Sequence, residues 1–156
     1  MQIEAFRELI SRLTGEIAGK PLDASLGEEL NRRFPPDSDV FRQIESACHA
    51  AIASGWMCNR EAGGIQFGRV IKPGPETHGF SVDVVRMRDC AGPHHRHPQG
   101  EIDLIMPTRG NALFDGHAAG WHVYPPDSAH YPTVSEGEAL ILYLLPEGQI
   151  EFTRKH

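Results

Sequence analysis

The stretch Gly92-Pro93-His94-His95-Arg96-His97-Pro98-Gln99-Gly100-Glu101 decides how this chain is interpreted. Side chains alternate between the two faces of an extended strand, so His95 and His97 point the same way. The segment 98–100 forms a short turn, and Glu101 then opens the next strand and returns to the same cavity. Two imidazoles and one carboxylate form a mixed nitrogen and oxygen ligand set, which suits a divalent transition metal.

A further ligand for the same metal is available downstream. The segment Pro125-Pro126-Asp127-Ser128-Ala129-His130 has the composition of a turn followed by the start of a strand, and it delivers His130. His94 faces the opposite way in a regular strand, although a one-residue register shift would exchange it for His95. The sequence therefore predicts a metal site of His95, His97, Glu101 and His130. Iron, manganese, nickel, cobalt and zinc all suit these ligands.

The pattern of apolar residues changes near residue 58. Before it, Ile3, Phe6 and later residues up to Ile17 recur at helical spacing, which predicts one amphipathic helix. Asp23 is a candidate cap for a second helix over 24–33. Ser38 and Asp39 are candidate caps for a third helix, which is expected to end at Gly55.

The remainder of the chain consists of short apolar runs separated by Gly, Pro, Asn and Asp, which is typical of β-strands in a sandwich or barrel. The predicted strands are Ile65–Ile71, Phe80–Arg88, His94–His97, Glu101–Met106, Gly110–Asp115, Gly120–Tyr124, Ala139–Leu145 and Ile150–Arg154. The sequence thus predicts a mainly β fold, with an N-terminal helical segment (residues 1–58) packed on a β domain (residues 59–156).

Composition excludes several classes of partner. The 156 residues carry 15 Lys+Arg against 21 Asp+Glu, and this net charge of −6 argues against nucleic acid. No apolar run approaches the roughly 20 residues that a membrane span requires. The charged, helix-like N-terminus does not resemble a signal peptide. Three cysteines without CxxC spacing suit a reducing compartment, so we expect a cytoplasmic protein.

Other polar residues are candidates for chemistry. Asp103 shares a strand face with Glu101, so it is a candidate general acid or base, or a group that orients a ligand histidine. A solvated carboxylate at the mouth of the barrel is the alternative. Tyr124 and His122 share a face of their strand and are candidates for orienting substrate. His117 and His122 are otherwise expected to be surface residues or neighbours of the ligands.

An anionic substrate would need a local arginine, because the protein as a whole is acidic. Arg69, Arg86 and Arg88 lie in predicted strands. An inward-facing guanidinium group would form a carboxylate clamp, whereas an outward-facing one would only be solvated.

Two motifs resemble those of the cupin superfamily. His95-x-His97-x3-Glu101 resembles the first cupin motif, and Pro125-x4-His130 resembles the core of the second. Asp127 stands where a glycine is usual in the second motif, and Val134 stands where an asparagine is usual. The resemblance covers residues 60–156. It implies a jelly-roll type antiparallel β-barrel that holds a metal through three histidines and one glutamate.

The GPHHRHPQGE stretch, the downstream segment 124–130 and the helical N-terminus together resemble the 4-hydroxylaminobenzoate lyase family. The resemblance implies conversion of 4-hydroxylaminobenzoate, a small aromatic acid, to 3,4-dihydroxybenzoate with release of ammonium. Glu101, Asp103 and Tyr124 are the expected catalytic residues. A mononuclear-metal dioxygenase and a non-enzymatic small-ligand binder are the alternatives. Exposed sheet edges favour a homodimer.

Overall fold

The computed structural model describes residues 3–153 and begins with three helices. They are α1 (Ile3–Ile17), α2 (Ala24–Arg33) and α3 (Asp39–Ser54). The Asp23 side chain caps α2 by accepting from the backbone N–H of Leu26. Of the two caps predicted for α3, Ser38 is the one that accepts from a helix N–H, and Gly55 ends this helix at φ 85°.

Within residues 3–153, nine strands follow the helices, and all their pairings are antiparallel. They are β1 (Arg60–Ala62), β2 (Ile65–Ile71), β3 (Phe80–Ala91), β4 (His95–His97), β5 (Glu101–Phe114), β6 (Gly120–Tyr124), β7 (Ser128–His130), β8 (Thr133–Pro146) and β9 (Glu151–Phe152). A large sheet has the order β1-β2-β3-β8-β5-β6, and a small sheet has the order β7-β4-β9. The fold is therefore mainly β and antiparallel with N-terminal helices, and within residues 3–153 its two sheets do not form a closed barrel.

The strands differ from the predicted ones in length. Strand β5 is continuous where two strands were predicted. Pro107 and Gly110 disfavour a regular strand, but irregularities in the pairing with β8 at these two residues accommodate them. Strand β8 begins at Thr133, before the predicted Ala139. The predicted end of the last strand, Arg154, lies outside the described residues.

The large sheet has two different faces. Leu140, Leu142 and Leu144 of β8 pack in one apolar cluster with the helices, while the alternating residues Ile141 and Tyr143 belong to a second cluster on the other face. Strand β5 follows the same alternation: its helix-facing residues are Ile102 and Leu104, and its other face carries Glu101 and Asp103. The helices therefore cover one face of the sheet and leave the other for the polar site. The division of the chain at residue 58 stays a prediction.

Membrane insertion through a helix finds no support in residues 3–153. None of the helices there combines the length and the hydropathy that a membrane span requires.

Candidate metal centre

The turn between β4 and β5 brings Glu101 back to the two histidines that precede it. Gly100 has φ 90°, and a Cβ built there would lie 2.7 Å from the backbone oxygen of Tyr124. Only glycine fits this close approach without displacing the strand. Strand β7 pairs with β4 and places His130 directly opposite His95. The local backbone thus positions all four predicted ligands.

Three histidine nitrogens converge on the Glu101 carboxylate. The Nε2 atom of His97 lies 3.2 Å from Oε2 of Glu101, and Nε2 of His130 lies 3.8 Å from the same oxygen. The Nε2 atom of His95 lies 3.8 Å from Oε1. One ligand atom from each of the four residues falls within 4.8 Å of the others, so a single ion fits between them.

Three polar atoms at the centre of this cluster lack hydrogen-bond partners in residues 3–153, which is typical of a cation site. Both Glu101 oxygens and Nε2 of His97 are buried and form no hydrogen bond within the described part of the chain. Buried polar groups without partners are costly, and a bound divalent ion satisfies them. Burial lowers the pKa of His95 to about 4, which keeps this imidazole in the neutral form that binds metals. The residues therefore fit a divalent transition metal.

A second layer of residues fixes the two ligand rings at their Nδ1 atoms. Nδ1 of His97 lies 2.9 Å from the hydroxyl of Ser128. Nδ1 of His130 donates to Asp115 at 2.5 Å, and the same carboxylate accepts from the Tyr124 hydroxyl and, at 2.9 Å, from the backbone N–H of Thr133. Such contacts set the tautomer and orientation of a ligand histidine.

Asp115 is a site residue that the sequence analysis missed. Burial opposes its ionisation, but hydrogen bonds from His130 and Tyr124 outweigh burial and lower its pKa. In the sequence Asp115 precedes a glycine, and an Asp-Gly pair predicts only a turn. The one signal in the sequence was its position at the end of the predicted strand Gly110–Asp115, ahead of the segment that carries His130.

Asp103 lies on the same face as Glu101 and is completely buried. Its two oxygens have no hydrogen-bond partner in residues 3–153. Burial and the nearby Glu101 raise the pKa of Asp103 well above its usual range. Asp103 is therefore not the solvated carboxylate at the barrel mouth that was the alternative, because its side chain is not exposed to bulk solvent.

Tyr124 stands beside the ligand rings. Its ring centre lies 4.5 Å from that of His130 and 5.4 Å from that of His97. Burial and the contact with Asp115 raise the pKa of the Tyr124 hydroxyl, so the phenol stays protonated. Tyr124 therefore forms one wall of the site.

The remaining candidates are not part of the group of four ligands. His94 contacts Thr153 and packs at 4.7 Å against Tyr131, so His95, and not His94, faces Glu101. Arg69 forms an ion pair with Asp83, and Arg86 forms one with Glu138. Arg88 is exposed. His122 is half-buried, and its ring stacks on that of His117.

Comparison with known proteins gives a consistent picture. The family model described as PnbB, 4-hydroxylaminobenzoate lyase, matches residues 8–152. A 4-hydroxylaminobenzoate lyase of Pseudomonas putida is 30% identical over 154 aligned positions. This alignment covers 88% of each chain. A 4-hydroxylaminobenzoate lyase of Nocardioides sp. (strain LMS-CY) is 28% identical over 159 aligned positions. This alignment covers 96% of this chain and 92% of the relative.

Solved structures with a partial likeness include two bacterial proteins. An RmlC-like cupin protein from Ralstonia eutropha matches with a TM-score of 0.44 and 14% identity, over 60% of this chain and 62% of its own. The polyketide cyclase RemF from Streptomyces resistomycificus also matches with a TM-score of 0.44, at 10% identity, over 61% of this chain and 75% of its own.

Proposed function

Because the chain belongs to the 4-hydroxylaminobenzoate lyase family, we propose that it converts 4-hydroxylaminobenzoate to 3,4-dihydroxybenzoate with release of ammonium, and that the reaction depends on a metal. Overall, one water enters and one ammonia leaves. The observation that carries the proposal is the group of three histidine Nε2 atoms around Glu101. Within residues 3–153, both Glu101 oxygens and Nε2 of His97 are buried without a hydrogen-bond partner.

Four residues would hold the metal: His95, His97, Glu101 and His130. A divalent ion in such a site supplies Lewis acidity toward an oxygen of the substrate or of water. Three histidines and one carboxylate accept iron, manganese, nickel, cobalt or zinc. The protein keeps His95 neutral through burial, and Ser128 and Asp115 fix the rings of His97 and His130.

Asp103 is the proposed proton donor in this reaction. The hydroxyl of the hydroxylamine leaves more readily once its oxygen is protonated, and a carboxylic acid kept neutral by burial carries the required proton. Asp103 is two residues from Glu101 on the same strand face, and its pKa is raised. Its conjugate base then accepts a proton from the water that attacks the ring carbon next to the C–N bond. A second water adds to the carbon that bears the nitrogen, the C–N bond breaks and ammonia leaves, so that the net change is one water in and one ammonia out.

Tyr124 is proposed to orient the aromatic ring of the substrate. The Asp115 carboxylate fixes its hydroxyl, and its ring lies against His97 and His130. A flat aromatic wall beside the ligands favours a flat aromatic substrate over a flexible aliphatic one.

Assembly as a homodimer and a cytoplasmic location are also proposed. The large sheet ends in two unpaired edge strands, β1 and β6, and edges of this kind are commonly covered by a second subunit. Cys48, Cys58 and Cys90 are all free, as expected of a protein in a reducing compartment. Light scattering of the purified protein tests the dimer.

The direct test of the reaction is incubation of the metal-loaded protein with 4-hydroxylaminobenzoate. We expect ammonium and 3,4-dihydroxybenzoate in equal amounts, without uptake of O₂. Oxygen consumption would indicate a dioxygenase, and thermal stabilisation by the compound without turnover would indicate a binding protein. Either result would overturn the proposed reaction.

A pair of variants tests the role of Asp103. We expect Asp103→Asn to lose most of the turnover, about 100-fold or more, as is usual for a lost general acid. The matched control is Asp127→Asn, which alters an exposed carboxylate paired with Arg96. Full activity of Asp103→Asn would remove this residue from the mechanism.

A further inference from the structure

We propose that the stacked imidazoles of His117 and His122 form the binding site for the carboxylate group of the aromatic acid. The inference rests on the proposed function, because it assigns the second end of the same substrate. It concerns two residues that the metal centre does not use.

The two imidazole rings stack on each other in a nearly parallel arrangement. Their centres are 3.8 Å apart with 22° between the planes. His117 is exposed in the loop between β5 and β6, and His122 is half-buried on β6. Within residues 3–153 neither ring makes a hydrogen bond to the protein, so their nitrogens are available to a ligand. Each neutral imidazole carries one N–H donor in either tautomer, so the pair offers two donors to one carboxylate.

The pair is connected to the metal centre through Tyr124. The ring centre of His122 lies 4.6 Å from that of Tyr124, which in turn lies 4.5 Å from His130. The loop that holds His117 also holds Asp115, the residue that contacts Tyr124 and His130. A para-substituted benzoate carries its two functional groups at opposite ends of one ring. Such a ligand placed along Tyr124 extends from the four metal ligands toward His122.

The position of His122 on the sheet directs it toward the same face as the site. The strand register places Arg69, Asp83, Tyr143, Asp103 and His122 in one row across five strands. Asp103 is therefore the direct cross-strand neighbour of His122, and residues opposite each other in a register share a face.

Arg69, at the far end of this row, is already occupied. Its Nε donates to Asp83 at 2.9 Å, and its Nη2 donates to Asp83 and to the backbone oxygen of Gly148 at 3.2 Å each. The bidentate pair leaves this guanidinium with its strongest donors engaged. The expected arginine clamp is thus replaced by the histidine pair, whose donors are free of protein partners in the described chain.

Ligand titration of the metal-loaded enzyme tests the proposal without turnover. The probes are 4-hydroxybenzoate and phenol, which differ only in the carboxylate group. We expect the double variant His117→Ala/His122→Ala to bind 4-hydroxybenzoate about tenfold or more weakly than wild type, the range expected for lost charge-assisted hydrogen bonds. Its affinity for phenol is expected to stay the same.

Controls separate recognition from damage to the fold. His49→Ala removes an exposed histidine of α3 and is expected to leave both affinities unchanged. His122→Gln keeps an N–H donor and is expected to retain part of the preference for 4-hydroxybenzoate. Metal content and melting temperature of the double variant are expected to match wild type.

Two results would overturn the carboxylate site: unchanged 4-hydroxybenzoate affinity in the double variant, or a wild type that binds 4-hydroxybenzoate no better than phenol. Failure of the proposed function gives a different pattern. In that case no ammonium is released from 4-hydroxylaminobenzoate, while the dependence of 4-hydroxybenzoate binding on His117 and His122 persists.

Discussion

Nδ1 of His130 donates a hydrogen bond to Asp115 at 2.5 Å, which leaves Nε2 of the same ring facing Glu101. Because an ionised carboxylate only accepts hydrogen bonds, the contact places the proton on Nδ1 and the free electron pair on Nε2. The unprotonated nitrogen is the one a metal requires. Asp115 also holds Tyr124, so one carboxylate organises both a ligand and a wall of the site.

The variant Asp115→Asn is expected to bind metal about 10–100-fold more weakly, the range typical for the loss of a carboxylate that orients a ligand histidine. Competition against a chromophoric chelator measures the affinity. The control is Asp127→Asn, which changes an aspartate exposed on the surface. Equal affinity of Asp115→Asn and wild type would mean that Asp115 does not position His130.

Removal of the metal is expected to destabilise the protein through Glu101, whose buried oxygens then have no partner. A ligand at about 100 times its Kd stabilises the folded state by about 2.7 kcal/mol, which raises Tm by about 5–10 °C in a protein of this size. In Glu101→Gln we expect most of this difference between the loaded and stripped forms to vanish.

Glu61→Gln, on the exposed strand β1, serves as the control for Glu101→Gln and is expected to keep the full Tm difference. A Glu101→Gln variant that gains as much from metal as wild type does would show that Glu101 is not a ligand.

Much of the helical segment is predictable because its signals are local. The caps at Asp23 and Ser38 and the left-handed Gly55 each depend on a few neighbouring residues. The alternation of His95 and His97 is local in the same sense. Glu101 reaches these two histidines through one tight turn, and His130 belongs to the second motif. The grouping of these four side chains was therefore predictable from spacing and motif.

The remaining features depend on contacts between distant segments. Pro107 and Gly110 predict a break, yet strand β5 continues through them because β8 offers a partner along its whole length. The role of Asp115 depends on the arrival of His130 and Tyr124 from other segments. The pairing of Arg69 with Asp83 is equally non-local, so the sequence did not indicate that this arginine is occupied.

Gly100 is expected to be intolerant of a side chain. Gly100→Ala combines a positive φ with a Cβ 2.7 Å from the Tyr124 backbone oxygen, so it is expected to lower both stability and metal content by displacing Glu101. Gly64→Ala shares the positive φ but has open space around the new atom. That control is expected to cost about 1–2 kcal/mol, the penalty of the left-handed conformation alone. Equal losses in urea unfolding would rule out the steric argument.

Thiol reactivity is expected to separate the three cysteines. Burial raises the pKa of Cys48 to about 12 and that of Cys58 to about 11, so at pH 8 both lack the reactive thiolate. We expect one thiol, that of the half-buried Cys90, to react quickly with an aromatic disulfide reagent, and all three to react in denaturant. Peptide mass spectrometry identifies the modified residue, and rapid labelling of Cys48 in the native protein would contradict the packing of α3.

The proposed reaction depends on one metal ion held by four residues, which are His95, His97, Glu101 and His130. Metal analysis of the purified wild type and of His97→Ala, prepared in parallel, tests this ligand set most directly. We expect one equivalent of a divalent transition metal in the wild type and a large loss in the variant. His94→Ala, which alters the neighbouring histidine outside the cluster, is expected to keep the wild-type content. Full occupancy in His97→Ala would contradict the ligand set.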